Sequence, residues 1–190
     1  MSTNKANLWR IAALVLVVLA AVAAPRTAKA SGLLNGLSLQ AGMFNPSSGQ
    51  FRNVTDFALW GGGIQYQFPS FPHLFNGDNW STSISADFHY SDRKAGVFRY
   101  YPVSLNQVYT FNSESEHSTY AGFCVTAATF GASTTYGRQP TVTRVGGGLI
   151  VGANINKSMY VETRYEWIDS HDTAANASPS GFRTYLGYRF

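Results

Sequence analysis

The sequence predicts an all-β protein, an eight-stranded antiparallel up-and-down β-barrel that crosses a membrane. The first observation is that about eight segments of roughly 10 to 14 residues alternate apolar with polar side chains, whereas strands of β-sandwiches run to about 5 or 6 residues. The second is that no apolar run after residue 30 is long enough for a spanning helix. The third is that the printed chain finishes within an alternating segment, Gly181–Phe190. A membrane-crossing strand needs about 9 to 11 residues, which fits these segments.

The N-terminal segment predicts export. Lys5 and Arg10 precede the apolar run Ile11–Ala24, and Ala28-Lys29-Ala30 follows as a small-x-small cleavage site. As a helix, the 14 apolar residues reach only about 21 Å, against roughly 30 Å of hydrocarbon in a bilayer. We therefore expect a cleaved signal peptide over residues 1–30 and one domain over residues 31–190.

Composition narrows the function classes. Four of the 14 basic residues lie before Ser31, which leaves ten basic and ten acidic residues in the expected mature domain and argues against nucleic-acid binding. Cys124 is the single cysteine, so no internal disulfide forms. His73, His117 and His171 have no partners at metal-ligand spacing, and we expect neither a metal nor a cofactor. An exported domain with 15% aromatic residues in the whole chain leaves a β-sandwich or an outer-membrane β-barrel.

Eight strands and their connectors follow in order. An even strand count brings both ends of the domain to one side of the membrane. The connectors expected outside are rich in Ser, Thr, Asn, Gly and Pro, and two short turns are expected inside. The predicted strands are Leu33–Phe44, Asp56–Phe68, Ser81–Ser91, Val97–Phe111, Ser118–Phe130, Thr141–Asn154, Ser158–Asp169 and Gly181–Phe190; the outer loops are Asn45–Thr55, Asp92–Gly96, Gly131–Pro140 and Ser170–Ser180; the inner turns are Asn112–His117 and Asn156-Lys157.

Side-chain alternation predicts which face of each strand meets lipid. In a small membrane barrel the apolar face points outward and the charged face fills the lumen. Aromatic residues near strand ends predict girdles at the two interfaces: Tyr66, Tyr101, Tyr109, Tyr165, Trp167, Tyr188 and Phe190. The predicted lipid-facing residues are Leu37, Leu39, Ala41 and Met43, then Ile84, Ala86, Phe88 and Tyr90, then Val145, Leu149, Val151 and Ala153, with Ser38, Gln40, Gly42, Ser85, Asp87, His89, Arg144, Gly146, Gly148, Gly152 and Asn154 inside.

Three segments interrupt the pattern. Leu59 is out of phase with Ile64, which predicts a glycine bulge near Gly61–Gly63. Pro102 cannot donate a ladder hydrogen bond, which predicts a bulge there or a strand that starts near Val103. The connector Pro69–Trp80 is long and aromatic, and both a short helix and packing at the interface remain open for it.

The charges predicted to lie inside form the candidate site. Buried charges must be paired, so we expect an ion-pair network in the lumen, formed by Glu162, Arg164, Glu166, Arg183 and Arg189. An eight-stranded barrel is wide enough only to be filled by side chains, which favours a plug. A narrow pore remains the alternative.

The last residues, "GFRTYLGYRF", resemble the assembly signal of outer-membrane barrels. In that resemblance Leu186, Tyr188 and Phe190 are read by the barrel-insertion machinery, and the last strand closes against the first. The segments "YYPVSLNQVYTF", "YAGFCVTAATFG" and "GGGLIVGANINKSMYVETRYEWID" are also similar to the second half of opacity-protein-like outer-membrane β-barrels. This chain has Cys124 where that family tends to have glycine. The resemblance implies a bacterial outer-membrane location, contact with outer-membrane lipid and lipopolysaccharide, and an adhesive or stabilising role without enzymatic activity.

The alternative to an adhesive or stabilising role is an enzymatic function. "FHYSDRKAG" places His89 and Ser91 on one strand face, similar to the His-x-Ser of outer-membrane lipid A deacylases. In that family the motif lies late in the chain and an acidic residue follows on the next strand, whereas here the nearest later acid beyond Asp92 is Glu114. The outer loops, including Tyr136-Gly137-Arg138 and "DSHDTAANASPS", offer contacts for a surface partner. We therefore expect a structural or surface-interaction role.

Overall fold

The structure is a computed structural model that describes residues 35–49, 52, 58–69, 77–93, 96–134, 137–138, 141–169 and 179–190. The expected signal peptide, 1–30, lies outside the described residues, as do residues 70–76 of the long connector and residues 170–178 of the last outer loop. No helix in the described part of the chain is long and apolar enough to span a membrane.

The described residues form nine strands, and eight of them close into an antiparallel barrel. The strands are β1 (Leu37–Pro46), β2 (Leu59–Gln67), β3 (Trp80–Arg93), β4 (Gly96–Phe111), β5 (Thr119–Thr134), β6 (Gly137–Arg138), β7 (Val142–Asn154), β8 (Met159–Ile168) and β9 (Gly181–Arg189). The eight barrel strands pair in chain order, with β5 next to β7, and β9 closes against β1, as predicted. The remaining strand, β6, is two residues long and pairs with the end of β5.

The barrel has two different ends. The turn end carries the long β2–β3 connection, the short β4–β5 and β7–β8 connections, the start of β1 and the end of β9, and the loop end carries the other connections. Both short turns lie where the sequence predicts them. Asn112 adopts a positive φ of 50° in the first, a conformation that Asn tolerates better than most residues. In the second, the Asn156 side-chain oxygen accepts hydrogen bonds from the backbone N–H groups of Ser158 (2.9 Å) and Met159 (2.8 Å).

Alternation places the core of the protein in the lumen. Gln40 on β1 and Asp87 on β3 are buried inside, whereas Leu149 on β7 is 56% exposed on the outside. Inward glycines let the strands coil closely: a Cβ on Gly42 would overlap the backbone of Thr184 on β9. The predicted faces of β1, β3 and β7 are therefore confirmed.

The predicted glycine bulge is wrong. The β1–β2 register runs without a break from Leu37 opposite Tyr66 to Phe44 opposite Leu59, and the β2–β3 register is equally regular. Leu59 instead points into the lumen and is fully buried against an apolar cluster. Leu59 and Ile64 are therefore out of phase because Leu59 faces the lumen and Ile64 faces outward, and no bulge is needed.

The expectation at Pro102 is also wrong. β4 passes through Pro102 without a bulge, and Pro102 lies opposite Ala128 of β5. On the β3 side, two residue pairs are missing from the ladder between the Ala86–Val103 and His89–Tyr100 pairs, yet the register is the same on both sides of the gap. Proline lacks an N–H, so the ladder loses hydrogen bonds here without an inserted residue.

Candidate functional site

The middle of the lumen is organised around Arg183 of β9. Its Nη1 donates hydrogen bonds to Asp87 (2.6 Å) and to the Tyr185 hydroxyl (3.2 Å), and Nη2 donates to the Ser104 hydroxyl (3.0 Å) and to Glu166. Arg183 is fully buried, as are both carboxylate side chains. One guanidinium thereby bridges two carboxylates that come from strands on different sides of the barrel.

Neutral side chains donate further hydrogen bonds to the carboxylates of Asp87 and Glu166. Asp87 accepts a hydrogen bond from the Gln40 amide, and Glu166 accepts from the Thr126 hydroxyl (2.7 Å) and the Tyr100 hydroxyl (3.3 Å). Charge-assisted hydrogen bonds of this kind stabilise buried carboxylates. The arrangement joins β1, β3, β4, β5, β8 and β9 through the interior.

Arg164 of β8 forms the second centre. Its Nε is paired with Glu162, two residues earlier on the same strand. Nη1 donates to Ser85 (2.8 Å) and to the Asn106 carbonyl oxygen (3.2 Å), and Nη2 donates to the Gln65 carbonyl oxygen (2.9 Å). Arg164 and Arg183 are opposite each other in the β8–β9 register, so each needs its own carboxylate to offset the like-charge contact.

Arg189 lies apart from these two centres. No carboxylate of the described residues lies within ion-pair distance of Arg189, whose Nη1 donates to the Asn154 carbonyl oxygen (2.7 Å). Its guanidinium also lies 4.5 Å from the centroid of the Tyr160 ring. Of the five residues proposed for an ion-pair network, the structure therefore brings four into ion pairs and leaves Arg189 outside.

The loop-end half of the lumen contains a cluster of buried apolar side chains. Phe44 and Tyr100 stack with their ring centroids 4.7 Å apart, and Leu59 packs in the same cluster. The other members of this apolar plug come from β4, β5 and β8, namely Phe98, Ala128, Phe130 and Ile168. These side chains cover the Arg183 centre on the loop side.

The turn-end half contains a polar cavity of about 240 Å³, which we call the vestibule. Glu162, Asn106 and Tyr120 line its inner part, and Asp78 and Arg189 lie among the residues that line the rest. The Tyr120 hydroxyl donates to Glu162 at 2.9 Å. The vestibule is half-open, and the Glu162–Arg164 pair lies between it and the Arg183 centre.

His89 and Ser91, the alternative hydrolase pair, both face the lumen. His89 is fully buried, its Nε2 lies 3.0 Å from the Tyr185 hydroxyl, and its ring packs near Phe44 and Tyr100. Ser91 is also buried on the inner face. Neither side chain lies on the outer surface, where a lipid substrate would be reached.

Cys124 occupies an inward position on β5. Its Sγ lies 3.7 Å from the Thr126 hydroxyl and 3.6 Å from Glu166. Gly148 is its partner on β7, and a side chain on Gly148 would meet the Cys124 sulfur. The cysteine therefore fits where the resembled family tends to have glycine, because the neighbouring strand supplies a glycine.

The outer surface carries an apolar belt bounded by aromatic rings. At the turn end Trp80 contacts Tyr109 at a centroid distance of 5.3 Å, and at the loop end Phe88 contacts Tyr101 at 5.2 Å. Eight residues separate the two rings on β3 and on β4, which is about 27 Å of strand or about 21 Å of height at a tilt near 40°. Among the strand residues whose side chains the structure describes, the charged outward ones lie at the loop end, beyond the rings: Asp92 and Arg99.

Sequence reasoning missed the partners that reach across the lumen. Asp87 is predicted inside, but its contact with Arg183 crosses from β3 to β9, which are not neighbours. Three members of the apolar plug interrupt the predicted alternation, namely Phe44, Leu59 and Ile168. Together these interruptions could have indicated apolar side chains in the lumen.

Comparisons with known proteins support the fold. Neither a protein-family model nor a curated protein sequence matches the chain. The structure is similar to that of Neisserial surface protein A, with a TM-score of 0.55 and 14% identity over 81% of this chain and 96% of that chain. It also aligns with Ail, the attachment invasion locus protein of Yersinia pestis, at a TM-score of 0.42 and 16% identity over 82% and 99% of the two chains. In fold, the chain is therefore a small eight-stranded antiparallel β-barrel similar to that of Neisserial surface protein A.

Proposed function

We propose that this protein is a non-enzymatic β-barrel of the bacterial outer membrane with a structural or surface-interaction role. One observation carries the proposal: every charged side chain between the aromatic girdles points into the lumen, and the outer belt between them is uncharged. Only lipid makes that sidedness favourable, because in water it would expose a continuous apolar surface. The belt height of about 21 Å suits an outer membrane, which is thinner than the average bilayer.

The name of a structurally similar protein, Neisserial surface protein A, supports exposure at the cell surface. The β1–β2, β3–β4 and β8–β9 connections of this chain lie at one end of the barrel, and this is the end proposed to face outward. The proposed partners are outer-membrane lipid and lipopolysaccharide around the belt and a surface partner at these loops. Leu186 and Phe190 are exposed on the outer face of β9, next to the first strand, which supports recognition by the insertion machinery.

The filled lumen supports a structural role over a pore or a hydrolase. The Arg183 centre and the apolar plug occupy successive heights of the same narrow interior. The enclosed His89 and Ser91 have no access to lipid A from the outer surface.

Fractionation with heat-modifiable gel migration tests the proposal. We expect the protein in the outer-membrane fraction, with unboiled and boiled samples that migrate differently, because the closed barrel resists detergent until it is heated. Recovery as a soluble periplasmic protein would refute the location. Lipid A mass spectra with and without Ser91→Ala test the enzyme alternative, and we expect no difference between them; a Ser91-dependent loss of an acyl chain would overturn the non-enzymatic role.

A further inference from the structure

We propose that the vestibule binds a small zwitterionic solute, of the size of an amino acid or a dipeptide, with its carboxylate on Arg189 and Gln65 and its ammonium group on Asp78. This binding site is separate from the surface-interaction role and does not depend on it.

The carboxylate half of the site is built on three neighbouring strands. Ser38 of β1 is the register partner of both Arg189 on β9 and Gln65 on β2. Adjacent strands lie about 4.8 Å apart, so the two long side chains start about 10 Å apart on either side of a short one. Both side chains line the vestibule, so a carboxylate inside the cavity can contact the two together.

Both flanking side chains have spare hydrogen-bond donors. Among the described residues, Arg189 uses only Nη1, for Asn154, and has no carboxylate partner. The Gln65 carbonyl oxygen accepts from Arg164, which fixes the amide and leaves its NH₂ group without a partner in the described part of the chain. A guanidinium that presents free N–H groups beside an amide is the chemistry that recognises a carboxylate.

Asp78 is the proposed partner of the ammonium group of the ligand. Asp78 lines the same cavity, is exposed, and has no hydrogen-bond or ion-pair partner among the described residues. Glu162, the other carboxylate of the vestibule, is already taken by Arg164 and by the Tyr120 hydroxyl. Free charges of opposite sign therefore remain at two places in one cavity, and a ligand with both charges satisfies them together.

Size limits the ligand. A volume of about 240 Å³ corresponds to about eight water molecules at about 30 Å³ each, which fits an amino acid or a dipeptide and excludes longer peptides. Because the Glu162–Arg164 pair and the Arg183 centre close the inner side, the solute enters and leaves through the turn end.

A titration of the purified full-length barrel in detergent micelles tests the site. The probes are the dipeptide alanylalanine, acetate and ethylamine, followed by calorimetry or by chemical-shift changes. We expect saturable binding of the dipeptide and at least about tenfold weaker binding of each single-charge probe, because a charge-assisted hydrogen bond contributes about a factor of ten or more.

Variants separate the two halves. Arg189→Gln is expected to weaken dipeptide binding about tenfold or more, and Arg189→Lys to restore part of it. Asp78→Asn is expected to remove the preference for the dipeptide over acetate. Lys157→Gln is the matched control, since Lys157 is an exposed cation at the same end that pairs with Glu116 at 3.1 Å, and it is expected to leave binding unchanged.

Three results would overturn the proposal. They are no saturable binding of the dipeptide by barrel that still shows heat-modifiable migration, equal binding by folded Arg189→Gln, and equal affinity of the natural chain for acetate and the dipeptide. If Arg189→Gln does not fold, Asp78→Asn decides, because the Asp78 side chain is exposed and has no partner among the residues that the structure describes.

Discussion

Arg183 is the residue on which the interior depends most. Among the described residues it is the only cation that contacts Asp87 or Glu166, and all three side chains are excluded from water. A buried ion pair adds little stability compared with a well-packed apolar pair, but an uncompensated buried carboxylate is costly. The network therefore makes the fold sensitive to the loss of one partner.

Arg183→Met is expected to destabilise the barrel by about 3–5 kcal/mol, because it leaves Asp87 and Glu166 buried without a cation. Urea unfolding in lipid vesicles measures the change. Arg189→Met is the matched control, with a loss below about 1 kcal/mol, because Arg189 is half-buried at the vestibule and holds no carboxylate. Equal losses for the two variants would show that the Arg183 centre is not the sensitive point.

At the scale of a strand, β7 shows how one sequence forms the outer surface and the lumen together. Leu149 is 56% exposed on the outside, and its neighbour Ile150 is 1% exposed inside. Gly148 lies opposite Glu166 of β8, and Gly152 lies beside the Tyr120 ring. Inward glycines on this strand make room for the large polar and aromatic side chains that its neighbours project inward.

A charge on the outward face of β7 is expected to cost more at mid-height than at the end. Leu149→Arg is expected to lower the free energy of unfolding by about 2–4 kcal/mol, because the guanidinium would face the middle of the bilayer. Ile155→Arg, at the turn end, is expected to lower it by about 0–1 kcal/mol. The same urea unfolding series measures both. Equal losses of unfolding free energy for the two variants would contradict the proposal that Leu149 lies near the middle of the bilayer and Ile155 near its edge.

At the scale of the molecule, the lumen is divided by height. The vestibule opens at the turn end, the two arginine centres follow, and the apolar plug closes the loop end. The lining of the lumen changes from polar to apolar along the barrel axis. The change lies between the Arg183 centre and the rings of Phe44 and Tyr100. An ion that entered the vestibule would have to displace the arginine centres and then cross an apolar layer.

We therefore expect no discrete conductance steps from the protein in planar lipid bilayers. Cys124 supplies a second readout, because it is 3% exposed within the closed interior and is expected to stay unlabelled by a fluorescent maleimide until the barrel is unfolded. Ile155→Cys in a Cys124→Ser background is the control and is expected to label in the folded state. Conductance steps, or fast labelling of folded natural protein, would contradict a closed lumen.

Much of the barrel follows from local pattern. The eight strands, the two short turns and the inward faces of β1, β3 and β7 are predictable, because lipid outside and a polar lumen inside impose a period of two on each strand separately. The same rule failed at Gly61–Gly63 and at Pro102. A bulge was inferred from Leu59 only because an apolar side chain was not expected inside, and a missing N–H at Pro102 turned out to need no extra residue.

The sequence alone determined the count of barrel strands, the sidedness of β1, β3 and β7 and the inward position of Glu162, Arg164, Glu166 and Arg183, since these depend on neighbours one or two positions away. Only the tertiary structure decided that Arg183 pairs with Asp87 across the lumen, that Arg189 lies at the vestibule without a carboxylate partner among the described residues, and that apolar rings cluster at the loop end. Those contacts join strands far apart in the chain, and their heights depend on the stagger and diameter of the closed barrel, which no single strand specifies.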